Sequence, residues 1–240
     1  MNTRGRFRWI VATLLSTLIG GCGTSGSAPT LYAEVQFEVD PNPAPVTFRV
    51  DELVAGGVRH TFPADMVFTT NAPFFFYFEN APPPYSGTFT LLSGANVHVR
   101  LFVPGTTEVH EFNADTEAPE VTTVTVSSGP SPVVTAPTQE VRFDVCVPSA
   151  TPGTCFTSGD AGVPNLPFNG NLGDAFVTYL LNGLTPSIYF LEGARDNVNA
   201  IFRLGPVTGD ALMVQLFING ALEQTGSSAS SDGVIIQQDL

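Results

Sequence analysis

One strand module occurs twice in this chain, in the same order each time. Pro73-Phe74-Phe75-Phe76-Tyr77-Phe78-Glu79 matches Pro186-Ser187-Ile188-Tyr189-Phe190-Leu191-Glu192, and Phe89-Thr90-Leu91 matches Phe202-Arg203-Leu204 at the same spacing. Residues 97–105 match 212–220 after a two-residue insertion. Earlier, Val46-Thr47-Phe48-Arg49-Val50 resembles Val141-Arg142-Phe143-Asp144-Val145. On this alignment the second copy gains about 18 residues, and the gain falls in the Pro-, Gly-, Asn- and Ser-rich stretch 146–173. Insertions of that kind belong in surface loops.

Within the blocks, apolar and polar residues alternate with the period of a half-buried strand. Val46, Phe48 and Val50 point one way, and Thr47, Arg49 and Asp51 the other. Residues 74–78 are apolar on both faces, which predicts a central strand covered on two sides. Asn219-Gly220 is a type I′ turn signal and predicts that 212–218 pairs with 221–226. One further strand closes each copy, at 121–126 and 233–237. No segment after the N-terminus carries a helical stripe, and 23 Gly and 20 Pro punctuate the 240 residues. The expected fold is all-β, as two tandem immunoglobulin-like β-sandwich domains at 31–127 and 128–240. The stiff Pro-rich stretch near 127–132 is expected to set them end to end.

The N-terminus has its own logic. Arg4, Arg6 and Arg8 precede an apolar run from 10 to 19, which is half the length needed to cross a bilayer and ends at Gly20-Gly21. A secretory signal has this layout. The run Leu18-Ile19-Gly20-Gly21-Cys22 resembles the lipobox of bacterial lipoproteins, departing from it at Gly20, where that family more often has Ala, Ser or Thr. The resemblance implies cleavage after residue 21 and acyl chains, palmitate among them, on the Cys22 thiol. Residues 22–30 then form a polar tether. Anchoring on more than one acyl chain is stable. Gly23, rather than Asp, follows the cysteine, and in this resemblance that leans towards the outer membrane of the cell envelope.

Charge narrows the partners. The chain holds 22 Asp plus Glu against nine Arg and no Lys, and three of the Arg lie before Cys22. Such an acidic body repels phosphate backbones, so no nucleic-acid partner is expected. It also disfavours electrostatic docking on anionic lipid. The membrane contact expected is the acyl chains on Cys22, and the other partner is an unknown protein or glycan ligand.

Few residues point to chemistry. Cys146 and Cys155 remain after lipidation, and an even pair in an exported chain reads as a disulfide. No Gly-x-Ser-x-Gly elbow, His-Glu-x-x-His or phosphate loop is present. His60, His98 and His110 all lie in the first copy, and a hairpin bringing His98 to His110 would offer a transition-metal site. Asp160 and Asp174, with Asn165, Asn169 and Asn171, offer oxygen ligands for weak calcium binding, against the plainer reading of a turn-rich loop. No other cofactor is expected. Tyr85 follows three prolines and reads as the aromatic tip of an exposed loop. The expected function is a non-enzymatic, lipid-anchored binding or spacer module. The rivals are a carbohydrate-binding or adhesive module using Tyr85 and a metal-dependent enzyme using the histidines.

Overall fold

The segment Phe74–Glu79 decides the architecture, because all six of its residues are buried. A strand apolar on both sides needs a packing layer on each face. The computed structural model describes residues 34–41, 45–93, 97–103, 110–114, 122–128, 139–148, 155–156, 163–194, 196–205, 211–229 and 233–240. Its first half contains β1 (Val35–Pro41), β2 (Val46–Ala55), β3 (Val58–His60), β4 (Phe68–Thr70), β5 (Phe74–Glu79), β6 (Tyr85–Ser93), β7 (Val97–Phe102), β8 (His110–Ala114) and β9 (Thr122–Ser128). The second half contains β10 (Val141–Cys146), β11 (Pro167–Asp174), β12 (Thr178–Leu184), β13 (Ser187–Leu191), β14 (Asn197–Leu204), β15 (Leu212–Ile218), β16 (Ala221–Ser228) and β17 (Val234–Asp239). The fold is all-β, and no helix occurs among the described residues.

Three sheets result. An eight-stranded sheet runs in the order β16-β15-β10-β13-β5-β1-β7-β8. A five-stranded sheet, β3-β2-β6-β9 with β4 also on β2, belongs to the first half, and a four-stranded sheet, β12-β11-β14-β17, to the second. The halves meet in the large sheet through β5 and β13, which pair in parallel with Tyr77 opposite Tyr189 and Phe78 opposite Phe190. Alternation along these two strands then sends side chains to opposite layers. Phe74, Phe76 and Phe78 pack with Ile188 and Phe190 under the five-stranded sheet. Phe75 and Tyr77 pack with Tyr189 and Leu191 under the four-stranded one. The two smaller sheets therefore cover opposite faces of the shared sheet, each over its own half. Stacked pairs, Phe78 on Phe190 at 4.6 Å and Tyr77 on Tyr189 at 4.5 Å, seal the junction.

This differs from two halves standing end to end. One sheet passes through both, each core takes side chains from the other half, and Leu31–Leu240 forms one compact unit. The cause is the pair of strands at 74–78 and 187–191: each is apolar on its second face as well, and the cheapest cover for that face is the other copy.

The duplication itself is real in the connectivity. Both halves run through shared sheet, outer sheet, shared sheet, outer sheet, shared-sheet hairpin and outer sheet in the same sequence. The register corrects one block of the alignment. Phe37 lies opposite Leu101 and Phe76, while Phe143 lies opposite Leu216 and Tyr189. The equivalent of 141–145 is thus 35–39, Val-Gln-Phe-Glu-Val, rather than 46–50. Both candidate segments read Val-x-Phe-x-Val, and only cross-strand pairing separates them.

The loop expected at 146–173 also differs. Its last part is β11, whose Phe168 and Leu172 are buried while Asn169 and Asn171 face outward. Gly170 lies in this strand because a Cβ there would collide with the Ile201 carbonyl. The Asn219-Gly220 turn forms as expected, with both residues at positive φ, and β15 pairs with β16 across it.

Candidate functional site

β3 ends on His60, which points into the shared sheet at the boundary of the halves and is 2 % exposed. Its ring packs against Phe78 at 5.2 Å and Phe190 at 4.5 Å. Its Nδ1 stands 2.8 Å from Glu140 Oε2 and its Nε2 stands 2.6 Å from Glu192 Oε1. Burial alone would push the imidazole pKa down, but the two glutamates outweigh it and raise the group to about 9. At neutral pH this is an imidazolium clamped between two carboxylates. Glu140 and Glu192 come from the second half, so the contact ties β3 of one half to the strands of the other. Asn219 holds Glu140 in place by paired bonds to its backbone.

Glu140 also lines an open cleft of about 680 Å³. One wall is the segment after β3, with Phe62, Asp65 and Met66; the floor is Arg142, Asp144, Gln215 and Phe217. Arg142 pairs with Asp144 through Nε at 3.0 Å and Nη2 at 3.3 Å, and its guanidinium lies 4.1 Å from the Phe217 ring centroid. Burial raises Asp144 to about 6 although Arg142 opposes that shift. Gln215 is committed to the chain itself, accepting the Cys155 N–H at 2.8 Å.

The opposite face carries a second version of the clamp. Glu34 is the equivalent of Glu140, each preceding its Val-x-Phe block, and Glu79 is the equivalent of Glu192. The backbones of Glu192 and Glu79 are bonded to each other, N to O, at 3.2 Å. Leu53 opposes Gly87 and His60, while Leu172 opposes Ala200 and Tyr179, which makes Tyr179 the equivalent of His60. Among the described residues no cation intervenes here. Burial, the Glu34 charge and a hydrogen bond between the two carboxyls push Glu79 up to about 10. Burial likewise raises Glu34, against the hydrogen bond from Glu79. Burial, then Glu79 and Asp174, push Tyr179 up to about 12.

The residues singled out from sequence fall elsewhere. Cys146 and Cys155 form the expected disulfide, buried against Met213 and Phe156. Tyr85 is a correction: it is 4 % exposed and its hydroxyl donates to the Ala81 carbonyl at 2.9 Å, so it is a packed corner and not an exposed tip. His98 lies opposite Asn113, and His110 opposite Leu101, so the two are three rungs apart and are not cross-strand neighbours. Asp174 caps the β11–β12 turn, accepting the N–H groups of Phe176 and Val177. Asp160 and Cys22 lie outside the described residues. Among the described residues no group of three or more His, Cys, Asp or Glu is placed to hold a metal ion. Sequence reasoning missed the clamp because Glu140 lies 80 positions from His60; the one available signal was the repeated glutamate closing both copies of the Pro73 block.

Comparison of the chain with protein families, with curated proteins and with solved structures finds no match.

Proposed function

We propose that this protein is a non-enzymatic, lipid-anchored component of a bacterial cell envelope, with a β-layered body that acts as a binding or spacer module. The exported part of this reading is carried by the Cys146–Cys155 disulfide, since such bonds persist in oxidising compartments. The anchored part rests on the Leu18–Cys22 run and the tether after it. No helix of the described residues is long and apolar enough to cross a membrane. The immunoglobulin-like description of each half belongs to the proposal too; it rests on two facing antiparallel layers per half. The binding surface of the module is the cleft beside Glu140, with aromatic walls and an acid–guanidinium floor.

Glycan adhesion through Tyr85 has lost its platform, because that ring is buried. The test is metabolic labelling. Cells given labelled palmitate are expected to transfer label to the wild-type chain and not to Cys22→Ala, which should be released or stay unprocessed. An unlabelled wild-type protein defeats the reading.

A further inference from the structure

The cleft beside Glu140 holds a guanidinium with donors to spare. Arg142 is 5 % exposed and spends Nε and Nη2 on Asp144. It lines the cleft, and among the described residues nothing accepts from its Nη1. A guanidinium carries five N–H donors in a fixed fork, so the Nη1 pair is left for an occupant. Acceptors stand nearby. Asp65 lines the same cleft, is exposed and has no partner among the described residues. Glu140 commits Oε2 to His60, and no described residue takes its Oε1. Charge narrows the occupant from both sides. A cation is poorly served, because the place against Asp144 and over the Phe217 ring is already filled by Arg142, 4.1 Å from the ring centroid. An anion is served worse. Asp65, Asp144, Glu140 and Glu192 outnumber Arg142 and the protonated His60, and the chain carries a formal net charge of -13. Such a field repels a further negative charge.

A neutral molecule remains, and it has to donate to carboxylates as well as accept from a guanidinium. Hydroxyl groups do both, and their bonds to charged partners are the stronger kind. Apolar surface flanks these polar groups. Phe62 and Met66 form the wall, while Phe217 on the floor lies beside its cross-strand partner Leu222, which is 49 % exposed. Few placed polar groups among apolar walls are the usual make-up of a small-ligand site. We propose that this cleft binds a neutral saccharide: Arg142 Nη1 donates to its oxygens, Asp65 and Glu140 accept from its hydroxyls, and Phe62, Phe217 and Leu222 pack on the C–H faces of the ring. The inference rests on the cleft being the binding surface of the module, and it names the ligand class. It also uses a different place from Tyr85, whose ring is buried. The volume of about 680 Å³ falls within the range of about 300–1,000 Å³ typical of ligand sites, and the open form of the cleft suits a segment of a glycan chain.

Isothermal titration calorimetry of the full chain, in a zwitterionic detergent without a sugar headgroup, tests this. The probes are neutral oligosaccharides of glucose, galactose, mannose, xylose and N-acetylglucosamine, with chitosan and galacturonate oligomers as charged counterparts. At least one neutral probe is expected to bind, and the charged ones to bind more weakly. Asp65→Ala changes an exposed position, and Arg142→Lys keeps a cation for Asp144 while removing the Nη1 donors. Each should weaken binding about tenfold, whereas Thr88→Ala, on the outer face of the five-stranded sheet, leaves it unchanged. Circular dichroism of each variant separates lost binding from lost folding. A panel on which no neutral sugar binds overturns the proposal. So does binding indifferent to both Asp65→Ala and Arg142→Lys, which puts the sugar elsewhere. If only a charged oligomer binds, and Asp65→Ala removes it, the neutral class falls while the cleft stands as the binding surface. A blank panel on a palmitate-labelled protein removes the ligand and leaves an anchored spacer.

Discussion

His60 and Tyr179 hold equivalent places on the edge strands of the two outer sheets; His60 stands between Glu140 and Glu192, and Tyr179 feels the charge of Glu79, the equivalent of Glu192. In one copy the imidazole reaches both carboxylates and is held protonated, with a pKa of about 9. In the other, the phenol supplies no charge, and the carboxyls instead keep a proton between them, with Glu79 at about 10. Burial works against charge in both places, since every buried ion loses hydration. What differs is the remedy. A cation offsets the acids in the first site; neutralisation removes one of them in the second. The backbone was copied and the third side chain was not, so the protonation chemistry of the junction is decided by one residue on each edge strand.

Exchanging those residues is the sharpest way to break the comparison. His60→Tyr copies the second site into the first and leaves Glu140 and Glu192 buried without a cation. Loss of one partner from a buried ionic cluster costs about 3–5 kcal/mol. Equilibrium urea unfolding should show that drop in stability at neutral pH, and His60→Gln, which fits the space without the charge, should show most of it. A change under about 1 kcal/mol, typical of exposed pairs, would mean that the clamp has no energetic role.

The reverse exchange is a smaller effect of opposite sign. Tyr179→His offers an imidazolium to Glu79. Position 179 is only half-buried, so the gain is on the order of 1 kcal/mol. The more telling readout is the carboxyl carbon resonance of Glu79, which should titrate at lower pH in the variant. A Glu79 that still titrates near 10 would show that the two sites share a backbone and nothing more.

How far the sequence speaks depends on the distance over which its signal acts. The all-β class, the Asn219-Gly220 hairpin, the closing strands and the disulfide are local patterns, and each appears in the fold. Phe74 to Phe78 announced burial on both faces, but not that the second cover would be the other copy. β11 was hidden by its own composition: Gly170 and Gly173 read as loop, although they are there because Ile201 and Val177 carbonyls come too close for a Cβ. The choice between 35–39 and 46–50 as a partner of 141–145 needed the register. The clamp was the least legible part, since its three residues converge only when two halves share a sheet with their faces exchanged.

The slope of stability with pH also distinguishes the sites, through the group that titrates in each. His60 rises from an ordinary 6.5 to about 9 on folding. Its contribution is fully present below 6.5 and is lost as pH rises through 9. Glu79 rises from 4.5 to about 10. A carboxyl raised on folding behaves in the same sense: its protonated form is the one the fold favours, so its contribution is full below 4.5 and declines above it as the unfolded chain ionises. Both groups therefore make stability fall with rising pH, each by at most about 1.4 kcal/mol per pH unit, but over windows that begin two units apart. Asp144, raised from 3.8 to about 6, adds to the fall only at the acid end of that range. Urea midpoints measured across pH should therefore lose their slope between 6.5 and 9 in part with His60→Gln, whereas Glu79→Gln should flatten the curve from 4.5 upward. If His60→Gln leaves the slope above 6.5 unchanged, the imidazole is not the group being titrated, and the contrast between the two faces reduces to packing.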